Sequence, residues 1–365
     1  MDEIVRSLRA RVPWNVAQKL LSLCDLPRGQ GWDRTVIRLS SENGEWQEQN
    51  AATLEALKEH ILCGEKLTCL YRVDESEKNE LIQYALKLDY ETSSFSEAYP
   101  IILTDEQLVS AEVDEPKIVA IEHYDVGVAV VFASIRIIEL RVELDPAEFA
   151  EDAREALSGY DELIGIKKTR FEAFDVVWLP YKGDLIEIRV DFLPGMLRSA
   201  GQAAHGVMKR SLKKAYDKLN LGTPVDIFPL IRTLYNAADE GTVVELTFGT
   251  TTASLKHEKM RRKHLDLRKE DYHVGGKKAL TSPIEPYRLG VQWNIKLSDA
   301  IASRPEIGLY SLLRGDSLKT TSLHDIVVKN CVGFSDYNFV MERLLAYVQK
   351  LGKEALPEPG DARVA

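Results

Sequence analysis

The stretch from Lys256 to Lys278 holds the densest group of side chains that could do chemistry. Nine of its residues are Lys or Arg and four are Asp or Glu, a net charge of +5 in a 365-residue chain whose net charge is −10. Lysine and arginine contacts to phosphates release counterions and give affinity that does not depend on base sequence. The stretch therefore predicts contact with the backbone of nucleic acid, through Lys256, Lys259, Arg261, Arg262, Lys263, Arg268, Lys269, Lys277 and Lys278.

Two further basic clusters could extend this surface. One lies on a predicted helix from Gln202 to Leu219, and the other precedes a predicted strand. We expect a groove for nucleic acid if all three clusters come together on one face. The same composition also fits a surface that binds an acidic protein partner. It fits equally a solvent-exposed surface on which opposite charges neutralise one another. The residues of the two clusters are Lys209, Arg210, Lys213 and Lys214, and Lys167, Lys168 and Arg170.

The same stretch offers two histidines, His257 and His264, that could share a helical face and ligate a metal with Glu258 or Asp266 nearby. The sequence has no HExxH motif, and the surrounding bases oppose a divalent cation. No GxxxxGK[ST], no GxGxxG after a strand and no GxSxG is present either. We therefore expect no bound metal and no cofactor.

A second candidate is Asp175 followed by Glu187-x-Arg189. Over about thirty residues this spacing resembles the Asp…Glu-x-Lys pattern of restriction-endonuclease-like nucleases. The resemblance implies a metal-dependent nuclease, such as one of an antiviral system, in which Asp175 and Glu187 bind Mg²⁺. Arg189 stands where the family has lysine, and a guanidinium does not readily release its proton. The same arrangement at Asp125 and Glu139-x-Arg141 favours the alternative that these residues pair across strands.

The hydrophobic pattern predicts an α+β fold in which a helical bundle precedes mixed or antiparallel sheets. Helical spacing of apolar residues marks 1–73 as a helical module. The connector 74–116 follows, with a predicted helix from Glu77 to Leu88 and a polar stretch from Asp89 to Ala98. The period changes from 3.6 to 2 at Lys117. We expect 223–352 to be a second α+β region with a basic insertion at 256–280, and 353–365 to be a disordered tail.

The region 117–222 contains an internal echo that predicts a duplicated strand–strand–helix unit. The block from Ile121 to Val126 is echoed by Phe171 to Val176, and the block from Ile138 to Pro146 is echoed by Ile186 to Pro194. In each copy a predicted helix follows the proline. A repeated unit of this kind buries its apolar face against its neighbour.

Composition favours a cytoplasmic protein. The four cysteines are scattered and predict reduced, buried thiols, and the charged first eleven residues do not form a secretory signal. No run approaches 18 apolar residues, so we expect no membrane span. The cysteines are Cys24, Cys63, Cys69 and Cys331.

Because no catalytic signature is present, the sequence favours a non-catalytic adaptor of a larger assembly. In this hypothesis the basic insertion contacts nucleic acid, and a protein partner binds 1–73 or the insertion itself. The nuclease built on Asp175 and Glu187 is one alternative. A purely structural protein–protein adaptor that binds no nucleic acid is another.

Overall fold

The computed structural model describes residues 1–41, 46–250, 254–312 and 322–354. The chain divides into two compact units. Unit 1 consists of Met1–Gly64, Thr68–Leu70 and Thr223–Ala365, and unit 2 consists of Glu65–Leu67 and Tyr71–Gly222. The fold is α+β, with N-terminal helices and antiparallel strands, which confirms the predicted fold class.

The described helices are α1 Asp2–Arg11, α2 Trp14–Leu23, α3 Trp32–Ser41, α4 Gln47–Cys63, α5 Glu75–Ala85, α6 Ser94–Ala98, α7 Asp105–Ser110, α8 Glu151–Leu157, α9 Arg198–Ala215, α10 Phe228–Asn236, α11 Asp271–Ala279 and α12 Phe334–Glu354. The strands are β1 Lys66–Arg72, β2 Lys117–Tyr124, β3 Gly127–Glu143, β4 Ile164–Pro180, β5 Leu185–Asp191, β6 Thr242–Gly249, β7 Leu255–Lys259, β8 Glu285–Gln292, β9 Ile295–Lys296, β10 Ala302–Ser303, β11 Glu306–Tyr310 and β12 Ile326–Lys329. Short 3₁₀ turns occupy Pro146–Glu148 and Leu267–Lys269.

In unit 2 the strands β2, β3, β4 and β5 pair antiparallel in that order. The β3–β4 ladder is long and runs from the pair Gly127↔Pro180 to the pair Glu143↔Ile164. Its first half is apolar and buried, whereas its far half exposes apolar side chains such as Ile166. Helix α9 packs on β5. The core of this unit therefore lies at the end of the ladder nearest the β2–β3 and β4–β5 turns.

In unit 1 the strands β12, β11, β8, β6 and β7 pair antiparallel in that order. Successive side chains of a strand point to opposite faces. One face of β8 and β11 accordingly carries buried apolar residues such as Leu289 and Ile307, and the other carries Arg288, Gln292 and Glu306. Helix α10 packs on β8 and contacts α12, and α12 contacts α4. Helices α1–α4 thus belong to unit 1, together with the C-terminal part of the chain.

Two segments of the N-terminal third differ from the predicted elements. The stretch predicted as helical, 1–73, ends in strand β1, whose first six residues are all buried. A strand buried on both faces shows no alternation, so its pattern does not separate it from a helix. The predicted connector 74–116 contains α5, which overlaps the predicted helix from Glu77 to Leu88, and two further helices, α6 and α7. Capping boxes at Ser93 and Thr104, in which side chain and backbone bond reciprocally, start α6 and α7.

The predicted repeat of hairpin–helix units is not confirmed. The order strand, strand, helix does occur twice, as β2–β3–α8 and β4–β5–α9. The echoed residues, however, occupy different positions in the two hairpins. Asp125 lies in the turn between β2 and β3, whereas Asp175 lies inside β4, several residues before its turn. The echo therefore reflects shared strand composition rather than equivalent places in two copies.

Elements near the insertion also shift relative to the predictions. The basic insertion 256–280 begins as strand β7 and ends as helix α11. The predicted disordered tail lies outside the described residues beyond Glu354. No helix in the described ranges is both long enough and apolar enough to cross a membrane.

Candidate nucleic-acid interface

Strand β7 carries the first bases of the insertion along the edge of the unit 1 sheet. It pairs with β6 on one side only and is the edge strand of this sheet. Lys256 lies opposite Phe248, and Lys259 lies opposite Glu245. The two lysines therefore point to opposite faces of the sheet and flank its edge. Charged side chains on an edge strand also discourage pairing with another strand.

Three predicted bases are engaged inside unit 1. Lys263 donates to the buried carboxylate of Glu306 at 2.7 Å. Arg268 forms an ion pair with Asp266 at 2.7 Å and donates to backbone carbonyls that follow α10, including that of Gly241 at 2.6 Å. Arg268 therefore fixes the loop between α10 and β6. Lys277 donates to the hydroxyl of Tyr235 at 3.0 Å. These three bases therefore stabilise the fold.

Three of the four acids in the insertion are also turned inward. Glu258 contacts Nδ1 of the buried His273 at 2.5 Å, and His273 also contacts the Tyr235 hydroxyl at 2.8 Å. Glu270 accepts from the backbone N–H of His273 and caps α11. Asp266 is held by Arg268. Of the four acids, this leaves Asp271 as the exposed one.

The remaining six bases of the insertion are exposed and have no ion-pair partner among the described residues. Four of them, from Lys256 to Arg262, fall within seven consecutive residues. Because the acids face inward and these bases face solvent, the exposed surface is more positive than the composition of the insertion indicates. The six are Lys256, Lys259, Arg261, Arg262, Lys269 and Lys278.

The basic cluster of α9 lies in unit 2 and mainly holds the chain that follows the helix. Lys209 donates to the carbonyl of Gly222 at 2.8 Å, and Lys213 donates to that of Leu219 at 2.8 Å. Lys214 pairs with Glu115 at 2.6 Å, and this hydrogen bond raises the pKa of the lysine. Arg210 is exposed. Most of these bases therefore have partners within unit 2.

The cluster at Lys167, Lys168 and Arg170 lies on the far half of β4, also in unit 2. Arg170 donates to the carbonyls at the end of α7, among them that of Leu108 at 2.6 Å. Lys168 lies opposite Glu139, with 4.0 Å between Nζ and Oε1. By strand alternation Lys167 points to the other face. The structure therefore divides this cluster between two faces of the ladder, and Arg262 belongs to a different unit, unit 1.

The residues that resemble a nuclease site are placed on opposite faces of the unit 2 sheet. Glu187 lies opposite Trp178 in the β4–β5 ladder, so both point to the same face. Asp175 is three residues before Trp178 and points to the other face. There it pairs with Arg136, while Glu187 pairs with Arg189 at 2.9 Å. The two carboxylates therefore do not converge on one metal ion.

Burial reinforces this separation. Burial raises the pKa of the Asp175 carboxyl, and the neighbouring Arg136 acts in the opposite direction. Arg189 is 2% exposed and lies 5.2 Å from the centroid of the Trp178 ring. Over the described ranges, no group of three or more His, Cys, Asp and Glu side chains is arranged to hold a metal ion. His257 instead contacts Glu245 at 3.3 Å, and His264 is exposed.

Sequence reasoning missed a buried ion pair in unit 2 between Lys66 and Asp191. Nζ of Lys66 lies 2.6 Å from the Asp191 carboxylate and 2.7 Å from the carbonyl of Phe174. Asp191 in turn accepts from the backbone N–H of Phe174 at 2.7 Å. The paired part of the β4–β5 ladder runs from Val176 to Trp178, so Lys66 and Asp191 bond the backbone of Phe174 just beyond it. A lysine at the start of the buried strand β1 was the available signal.

Glu306 provides a prediction for the pH dependence of unit 1. Burial alone would raise the pKa of this carboxyl, but Lys329 and Lys263 outweigh it and lower the pKa below its ordinary value of 4.5. A lowered pKa in the folded state stabilises the fold above pH 4.5, and this contribution is lost as the pH falls through the folded pKa. We expect Glu306→Gln to destabilise the protein at neutral pH, and the difference from wild type to shrink below pH 4.5. Urea unfolding at a series of pH values measures this, and a difference that is constant with pH would contradict it.

Comparison of the chain with protein-family models, with curated proteins and with solved structures found no match.

Proposed function

We propose that this chain is a non-catalytic binding protein that contacts the phosphate backbone of nucleic acid through the exposed bases of its insertion. The observation that carries the proposal is that, in unit 1, most acids of the insertion face inward while most of its bases face solvent. Glu258, Asp266 and Glu270 are engaged internally, while six bases of the same insertion are exposed without ion-pair partners among the described residues. This arrangement favours binding of a polyanion over a surface whose own opposite charges neutralise one another.

The length of the stretch from Lys256 to Arg262, which comprises most of strand β7 and the bend after it, fits a nucleic-acid backbone. Its seven residues span at most about 20 Å when extended. One DNA strand carries a phosphate about every 3.4 Å of helix axis, so roughly six phosphates lie along this length of axis. The four bases in this stretch can therefore each meet a separate phosphate. Contacts of this kind position the backbone and do not select a base sequence.

Helices α1–α4 are the proposed contact for a protein partner. Ile37 on α3 is 65% exposed, and Leu23 at the end of α2 is 41% exposed. Exposed apolar side chains of this size are common at protein contacts when they cluster. We place this second contact in unit 1 together with the basic insertion, so that one unit would join a nucleic acid to an assembly. The nuclease alternative receives less support, because Asp175 and Glu187 point to opposite faces.

Fluorescence anisotropy with labelled single-stranded DNA, single-stranded RNA and duplex DNA tests the proposal. We expect binding of all three at about 50 mM salt, and loss of most of this affinity at about 200 mM salt. Mg²⁺ should not lead to cleavage of the labelled strand, which gel electrophoresis of the same samples would reveal. Absence of binding at low salt would rule out the proposal, and cleavage lost in Asp175→Ala would favour the nuclease.

A further inference from the structure

Unit 1 contains a polar pocket of about 530 Å³ that the basic insertion borders but does not fill. Three bases line it: Lys19 on α2, Lys263 after β7 and Arg304 after β10. Amide side chains, among them Gln292 and Asn330, complete the lining. No Asp or Glu of the described chain is among the lining residues. The pocket therefore presents hydrogen-bond donors and positive charge.

Two of the three basic side chains in this pocket have no ion-pair partner among the described residues. Glu306 pairs with Lys263 at 2.7 Å, whereas Lys19 and Arg304 have no ion-pair partner in the described parts of the chain. Burial, and then the charge of Arg304, lower the pKa of Lys19, while Asp336 acts in the opposite direction. Holding two like charges at a partly buried site costs free energy, and a bound anion offsets that cost.

Two of the four amide side chains that line the pocket, those of Asn15 and Asn330, are joined by a hydrogen bond. Nδ2 of Asn15 donates to Oδ1 of Asn330 at 2.7 Å. Asn330 has a φ of +64°, in the left-handed region that asparagine tolerates better than most residues. Gln292 is 6% exposed at the end of β8. These three amide residues are thus constrained by the fold before a ligand arrives, which reduces the ordering cost of binding.

We propose that this pocket binds the phosphate group of a nucleotide-sized ligand. A guanidinium presents two parallel N–H donors to a phosphate, and an ammonium adds a point charge. Arg304 and Lys19 supply one of each, and the amides offer further donors. The volume lies in the range of about 300–1,000 Å³ that is usual for small-molecule sites, which exceeds the size of a free phosphate ion. The phosphate can belong to a free nucleotide or to the 5′ end of a nucleic acid.

This inference stands apart from the proposed function. It depends on Lys19 and Arg304, whereas backbone binding depends on the exposed bases that include Arg261 and Arg262. The failure of one leaves the other intact. Separate variants can therefore test the two.

Isothermal titration calorimetry of the full chain with AMP, inorganic phosphate and adenosine tests the pocket. We expect AMP to bind, phosphate to bind more weakly and to compete with AMP, and adenosine not to bind. The double variant Lys19→Gln/Arg304→Gln should bind AMP at least about tenfold more weakly, which corresponds to roughly 1.4 kcal/mol. The single variant Arg304→Gln alters an exposed side chain, so it provides the same test if the double variant unfolds.

Arg261→Gln/Arg262→Gln is the matched control and should bind AMP as wild type does. A 5′-phosphorylated oligonucleotide compared with its 5′-hydroxyl form identifies the source of the phosphate. A preference for the phosphorylated form that disappears in Arg304→Gln assigns the pocket to a nucleic-acid end, and equal binding of the two forms assigns it to a free nucleotide. Lack of binding of both AMP and phosphate, or equal AMP affinity in wild type and Arg304→Gln, would overturn the proposal.

Discussion

Replacing Lys66 with methionine is expected to destabilise unit 2 by about 3–5 kcal/mol, the usual cost of removing one partner of a buried ion pair. Lys66 is 0% exposed, and the Asp191 side chain is 3% exposed. Methionine preserves much of the apolar stem but removes the ammonium group that pairs with the Asp191 carboxylate. It also removes the donor to the carbonyl of Phe174. Two buried polar groups thus lose a partner in one substitution.

Lys214→Met is the matched control for this prediction. The Lys214–Glu115 pair has the same 2.6 Å separation as the Lys66–Asp191 pair, but its side chains are 76% and 64% exposed. Exposed pairs contribute little, because water and salt screen them. We expect this variant to unfold at the same urea concentration as wild type. Hydrogen exchange of the β4 and β5 amides localises the effect of Lys66→Met, and unchanged protection there would contradict the account.

Reversing two charges beside β7, in the variant Arg261→Glu/Arg262→Glu, is expected to weaken nucleic-acid binding by at least about tenfold at low salt. Each substitution removes a phosphate contact and adds a repulsive charge. Both side chains are exposed and have no ion-pair partner among the described residues, so the fold should tolerate the change. Anisotropy with the probes used for wild type gives the affinity, and thermal unfolding checks the fold.

The matched control for charge is Lys182→Glu/Lys350→Glu. It changes the net charge by the same amount, and both lysines are exposed, one in unit 2 and one in unit 1. Because these lysines lie outside the insertion, this variant should retain affinity close to that of wild type. An equal loss in both double variants would mean that net charge alone governs binding. That result would remove the insertion from the proposed interface.

The sequence predicted the fold class because most of its elements have clear periods. The alternation after Lys117 becomes β2 and β3, and the helical spacing in 1–73 becomes helices α1–α4. Strand β1 was missed because both of its faces are buried, which removes the alternation that marks a strand. The echo between Asp125 and Asp175 arises because strands with the same alternation of apolar and polar residues have similar sequences. Such strands are similar even when they occupy different positions in the fold.

The candidate site was only partly predictable. The sequence identifies the bases of the insertion but not which of them face solvent. Lys263 pairs with Glu306, which is far along the chain, and Arg268 donates to backbone carbonyls such as that of Gly241. The pocket with Lys19 and Arg304 combines residues separated by nearly three hundred positions. Such a combination depends on tertiary packing, and no spacing rule in one sequence reveals it.

The dependence of nucleic-acid affinity on salt tests the central claim most directly. For duplex DNA the slope of log K against log salt is about −0.9 per neutralised phosphate. Neutralising Arg261 and Arg262 to glutamine should therefore make the slope shallower by about 1.8, because two phosphate contacts are lost. The variant Lys182→Gln/Lys350→Gln should keep the wild-type slope. A slope that is the same in wild type and in Arg261→Gln/Arg262→Gln would show that these exposed bases do not contact the backbone.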